Sequence, residues 1–151
     1  MKLEYLMEYT INLAFPPADT PVGPLGTRRI HTFTGGSFEG PELKGKILPS
    51  GGDWLLRSAD GVGRVDYRAT LETDDGAQIY LQLYGIVRGD PSRPARPEGE
   101  PAEYGDRYYM VTPRFETGHE RYGWLNGLVC VGEGKPVSGG VSHRVFALVN
   151  D

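Results

Sequence analysis

The sequence predicts an all-β fold: a single closed antiparallel β-barrel over residues 1–151. Three observations lead there. Breakers recur along the chain, with 22 Gly and 12 Pro in 151 residues, and leave little room for a long helix. Nine Tyr, five Phe and two Trp supply the apolar area that chain ordering needs, which argues against disorder. Between the Gly and Pro clusters, apolar and polar residues alternate with a period of two, as half-buried strands do. Nine or so short antiparallel strands at these spacings suit a barrel or a sandwich. A barrel is favoured because its interior offers a place for a polar strand face.

The first strand covers residues 3–13 and puts Leu3, Tyr5, Met7, Tyr9, Ile11 and Leu13 on one face. Residues 16–26 carry Pro16, Pro17, Pro21 and Pro24 and read as loop. Residues 28–34 form a short polar strand, followed by a turn at Gly35-Gly36. Two further strands follow at 43–48 and 53–57, the second entered through Gly51-Gly52.

The hairpin over residues 65–86 is the sharpest local prediction. A two-residue loop at Asp75-Gly76 would oppose Glu72 to Ile79 and Thr70 to Leu81. A three-residue loop, Asp74-Asp75-Gly76, opposes Leu71 to Ile79, Ala69 to Leu81 and Tyr67 to Leu83. The second register matches apolar to apolar, and a one-residue slip would mix the two faces, so it is preferred. It requires Gly76 in the left-handed conformation. Its other face pairs Glu72 with Gln78, Thr70 with Tyr80, Arg68 with Gln82 and Asp66 with Tyr84. That polar face either meets bulk water or lines a wet cavity.

Residues 88–106 carry Pro91, Pro94, Pro97 and Pro101. A loop this long reads as a lid, a binding loop or an interface arm. Strands resume at 108–112, 122–131 and 143–149, with 132–140 as the last turn region.

Bulk properties exclude several classes. The net charge is −4 with no basic block, so the footprint of a nucleic-acid binder is missing. No apolar run approaches the length of a membrane span, and Glu4 and Glu8 do not suit a signal peptide. A cytoplasmic protein without nucleic-acid or membrane partners is expected. Cys130 is the only cysteine, which leaves no disulfide framework and no Cys-rich zinc site within the chain. Its apolar run, Leu128-Val129-Cys130-Val131, reads as core. His31, His119 and His143 lie on separate segments without metal-ligand spacing, so no metal site is expected. Phosphate-loop, nucleophile-elbow and dinucleotide signatures are missing, and no cofactor is expected.

Carboxylates are the better candidates for chemistry. Asp53 precedes Trp54, and a desolvated acid beside an indole has a raised pKa suited to proton transfer. Glu116 follows Arg114-Phe115. Arg68 and Arg114 have the fork that binds a carboxylate or enolate. Tyr80, Tyr109 and Trp124 offer stacking area and phenol donors.

Several motifs occur in order: Gly35-Gly36-Ser37-Phe38-Glu39-Gly40-Pro41, Asp53-Trp54, Arg68-Ala69-Thr70-Leu71-Glu72-Thr73-Asp74-Asp75-Gly76, Phe115-Glu116-Thr117 and Tyr122-Gly123-Trp124-Leu125-Asn126. In these the chain resembles the DUF3237 family, also called UPF0311, over nearly its whole length. The resemblance implies a closed antiparallel barrel similar to the calycin and allene-oxide-cyclase barrels, and a small bacterial or fungal protein. It says little about activity.

Two functional readings follow. In the first, the barrel is an enzyme of isomerase, lyase or cyclase type acting on an oxygenated or aromatic metabolite. Asp53 or Glu72 is then the general acid or base, and Arg68 and Tyr80 stabilise a developing enolate or alkoxide. Trp54, Tyr109, Arg114, Glu116 and Trp124 bind the substrate. In the second, the same cavity carries a small molecule without catalysis. A blander third case fills the barrel with its own side chains and places function at an interface between copies in a homo-oligomer. An unpaired carboxylate in a wet cavity favours the enzyme; acids held in salt bridges favour the carrier.

Overall fold

A computed structural model describes residues 1–89, 91–92 and 96–151. Among the described residues, ten strands run in chain order: β1 (Lys2–Leu13), β2 (Ala18–Asp19), β3 (Thr27–Glu39), β4 (Lys44–Ile47), β5 (Gly52–Arg57), β6 (Gly63–Thr73), β7 (Gln78–Arg88), β8 (Tyr108–Glu116), β9 (Cys130–Val137) and β10 (Gly140–Val149). One 3₁₀ helix, Glu120–Gly127, lies between β8 and β9. All pairings between strands are antiparallel.

The sheet closes into a barrel. From β1 the order runs through β10, β9, β8, β7 and β6; β4 and β5 both bridge β6 to β3, and β3 returns to β1. Closure is uneven. The β8–β9 seam holds only two opposed pairs, Met110 with Glu133 and Val111 with Gly132. Closure leaves one inner face to bury, and Met7, Ile11, Phe33, Leu71, Ile79, Leu81, Leu83 and Val145 fill it.

The β6–β7 hairpin has the three-residue loop and the predicted register at every pair from Asp66–Tyr84 to Glu72–Gln78. Gly76 has φ +88°. Asp66, Arg68, Thr70 and Glu72 turn outward, however, so the polar face is a solvated wall and not a cavity lining. The apolar set Val65, Tyr67, Ala69 and Leu71 is the one that gains from burial, and a two-residue period allows only one face inside.

Other departures have local causes. A register shift between Tyr5 and Met7 interrupts the alternation of β1, so Leu3 and Tyr5 face out while Met7, Tyr9 and Ile11 face in. Gly35-Gly36 is not a turn but the interior of β3, where the strand pairs with both β1 and β4. Gly36 has φ +150°, and a Cβ there would stand 2.0 Å from the Thr10 carbonyl oxygen. Gly36→Ala is therefore expected to cost about 2–4 kcal/mol, read as a lowered urea midpoint. An unchanged midpoint would show that the seam yields freely.

Residues 122–127, the first part of the strand expected over 122–131, belong to the 3₁₀ helix instead, because burial here repeats every three residues. Tyr122 and Leu125 lie on one side and pack into the core. His119 caps this helix, its Nδ1 accepting from the Arg121 N–H at 3.2 Å. The stretch expected as the last turn region is mostly β9 instead, with the turn confined to Ser138 and Gly139. Cys130 is buried, and burial pushes its thiol up to about 11. The proline-rich stretch joins β7 to β8, and Asp90, Arg93, Pro94 and Ala95 within it lie outside the described residues. Among the described residues, no helix is long and apolar enough to cross a membrane.

Candidate functional site

The two ends of the barrel differ. One is stoppered by the 3₁₀ helix and stitched to the β6–β7 turn. There Asp75 accepts hydrogen bonds from Thr73 Oγ1 (2.5 Å), the Tyr122 hydroxyl (2.8 Å) and the Arg121 guanidinium (2.8 Å). These donors hold its carboxyl down at about 2. The other end opens as a cavity of about 240 Å³. It is framed by the last residues of β1, β5, β7 and β9 and the first stretches of β3, β6, β8 and β10.

Register brings the chemistry together. β3–β5 pairing sets His31 opposite Asp53, and β5–β6 pairing sets Asp53 opposite Tyr67. All three line the cavity, as do Tyr109 from β8 and the arginines Arg57, Arg88 and Arg107. The Asp53 carboxylate accepts the Asp66 backbone N–H at 3.2 Å, and among the described residues it forms no ion pair. Burial pushes its carboxyl up to about 6. The Asp66 N–H and the more distant Arg28 work against that rise, and the Asp66 charge adds to it.

Behind this wall lies a dry layer of phenols around an imidazole. The hydroxyls of Tyr9 and Tyr67 are hydrogen-bonded to each other, and Tyr67 Oη lies 3.4 Å from His143 Nδ1. The rings of Tyr9, Tyr67 and Tyr109 surround His143, with centroids 5.2, 5.9 and 5.1 Å away. Burial keeps His143 neutral, lowering its pKa to about 3. Burial also raises the Tyr67 and Tyr109 phenols, and the negative charge of Asp53 adds to both. These hydroxyls therefore stay protonated as donors. Tyr109 is seated over Gly134, where a Cβ would come 2.7 Å from the ring. Only a glycine there leaves room for it.

The residues expected from sequence divide sharply. Asp53 and Tyr109 line the cavity. Trp54, next to Asp53 on β5, points outward and is 39% exposed. Arg68 pairs with Asp66 (3.3 Å) and Glu72 with Lys46 (3.3 Å) on the outer wall. Tyr80 faces Glu116 across β7–β8, and Arg114 faces Gln82, again outside. Trp124 is exposed on the helix at the closed end. The three histidines do not converge: His31 lines the cavity, His143 lies behind it, and His119 sits at the closed end. Among the described residues, no group of three or more His, Cys, Asp and Glu could hold a metal ion.

Tyr67, Tyr9, His143, His31, Arg57, Arg88 and Arg107 were not anticipated. One signal could have found Tyr67. The chosen hairpin register already set it opposite Leu83 on the apolar face, and an inward Tyr carries a hydroxyl that needs a buried partner.

Over residues 1–148 the chain matches the family described as "Protein of unknown function (DUF3237)". The chain belongs to the DUF3237 family. A UPF0311 protein of Rhodopseudomonas palustris is 37% identical over 117 residues, covering 75% of this chain and 76% of the relative. The crystal structure of a β-barrel-like protein from Acinetobacter baumannii superposes with a TM-score of 0.85 at 34% identity, covering 98% of this DUF3237 chain and 96% of that one. The hydroalkoxylation enzyme phnH of Penicillium herquei is 30% identical over 106 residues, 70% of this chain and 56% of that enzyme. The DUF3237 barrel is thus the scaffold on which the Asp53 cavity is built.

Proposed function

We propose that this DUF3237 barrel is an acid–base enzyme of lyase, isomerase or cyclase type. It adds or removes a hydroxyl across a carbon–carbon double bond of a small ring-bearing, oxygenated substrate. One observation carries the reading: Asp53 is an unpaired carboxyl in an aromatic cavity with its pKa pushed up to about 6. At neutral pH it is mostly a carboxylate, yet basic enough to take a proton. The relationship to a protein named as a hydroalkoxylation enzyme supports a reaction of this class. Such an addition is redox-neutral, so side-chain acids and bases suffice.

The step balances within the cavity. Asp53 removes the proton of a substrate hydroxyl, and that oxygen bonds to the β-carbon of an enone. The π electrons move onto the carbonyl oxygen, and the Tyr109 phenol, a donor held protonated, stabilises the resulting enolate. The protonated Asp53 then returns its proton to the α-carbon. His31 and the Tyr67 edge form the wall against which the ring packs.

The test is a panel of 2′-hydroxyaryl enones, followed by the loss of enone absorbance. The log of kcat/KM is expected to rise with unit slope up to about pH 6 and then level. A profile flat from pH 4 to 8 with full turnover would remove Asp53 from the mechanism. Uncatalysed rates throughout would remove the reaction class.

A further inference from the structure

We infer that the substrate of this cavity is anionic: it carries a carboxylate that the arginines at the mouth hold while its neutral ring body enters toward Asp53. The inference deepens the proposed function and rests on the same cavity being the ligand site. Arg57 at the end of β5, Arg88 at the end of β7 and Arg107 just before β8 come from separate segments, yet all three line one opening. Asp53, set deeper, is the sole acid among the described residues lining it. The whole chain has a net charge of −4, so this concentration of positive charge runs against the global balance.

The pairing pattern sets these arginines apart. Arg29, Arg64, Arg68, Arg96, Arg121 and Arg144 each hold a carboxylate of the chain. Among the described residues, Arg57, Arg88 and Arg107 hold none; Arg28 and Arg114 also hold none, but neither lines the cavity. Arg88 is instead stacked on the outward Tyr108 ring, 4.4 Å from its centroid, so Arg57 and Arg107, which alternate in phase with Asp53 and Tyr109, are the two placed to hold a ligand inside the mouth. Guanidinium forks without a partner are suited to a planar carboxylate, which accepts two parallel N–H donors. Along β5 and β6 the lining runs from Arg57 and Gly63 at the strand ends, past the apolar Leu55 and Val65, to Asp53 opposite Tyr67. A cavity of about 240 Å³ has room for a one- or two-ring body with a single charged head. Attraction at the rim also steers an anion past the acidic surface of the protein.

The experiment uses matched probes: benzoate, cinnamate and 2-naphthoate, each against its primary amide, which keeps the shape and removes the charge. Binding to the ¹⁵N-labelled full chain is read from the backbone amide shifts of Gly61, Gly63 and Gly140, which line the cavity. The carboxylates are expected to bind about tenfold more tightly than their amides, with a difference that shrinks as salt rises. Arg57→Gln and Arg107→Gln should each erase most of that preference. Arg114→Gln removes the same charge from the outer wall and should leave it intact. Amides that bind as tightly as carboxylates while shifting these glycines would overturn the anionic assignment and leave the cavity as the ligand site. No shift at these glycines with any probe would overturn both. A preference that survives both cavity variants would place the anion elsewhere and overturn the assignment.

Discussion

Asp53→Asn is expected to lower kcat/KM by about 10²–10⁴-fold on any substrate that the wild type turns over, the usual worth of a positioned general base. The same substitution should make the protein more stable at pH 8. Asn keeps an oxygen to accept the Asp66 N–H, so the local fold has no reason to change. It removes a carboxylate that burial disfavours. The Asp53 carboxyl stands at about 6 in the folded chain against an ordinary 3.8, so the folded state holds its proton more tightly. Stability therefore falls as pH rises from about 4 through about 6, by about 3 kcal/mol in all. Urea unfolding at pH 8 should show the variant ahead by up to that amount, and at pH 4 the two proteins should coincide. Equal stability at pH 8 would mean that Asp53 is well solvated, and the argument for it as a tuned base would fall with it.

Acid should unfold the barrel through His143. Its pKa of about 3 in the folded state, against 6.5 in the unfolded chain, reflects burial among three phenol rings. Here the unfolded state takes the proton first. Stability is therefore lost as pH falls from about 6.5 toward 3, by about 4–5 kcal/mol over the whole span. Between about pH 4 and 6 this slope opposes that of Asp53, so the wild type should look nearly flat there. Asp53→Asn should expose the His143 slope, giving a steeper loss over the same window. In His143→Phe the Asp53 slope is left unopposed, so stability should rise as pH falls from about 6 to 4 and the loss below pH 4 should shrink, even though its baseline drops because the Tyr67 hydroxyl loses a neighbour. Asp75, held down at about 2, contributes its own loss only as pH falls below about 4, clear of this window. Free energies of unfolding across pH 3–8 for the three proteins decide the matter. An acid limb unchanged in His143→Phe would assign acid unfolding to other groups.

Each position had its own reason for being readable or hidden. Asp53 was legible because a carboxyl flanked by Trp54 on a short apolar strand is a desolvated acid wherever the strand packs. The indole itself turned out to face solvent, and the desolvation comes from the barrel interior instead. Arg68, Glu72 and Tyr80 were assigned to one face correctly, and that face is the outer wall, where β8 adds Arg114 and Glu116. Alternation says which residues share a face; which face is inside follows from where the apolar area must go. The Tyr9–Tyr67–His143 layer joins β1, β6 and β10, elements that meet only when the sheet closes.

The sequence by itself determined the all-β class, the hairpin register around Gly76 and the buried Cys130, and it singled out Asp53, which the barrel places in the cavity. All of these rest on interactions within a few residues or on a two-residue period. Tertiary structure alone decided which strand face is interior, where Gly35-Gly36 bends without turning, that residues 120–127 stopper one end as a helix, and which arginines ring the other. Those outcomes depend on closure of the sheet between β1 and β3, a contact between distant segments that no local pattern encodes.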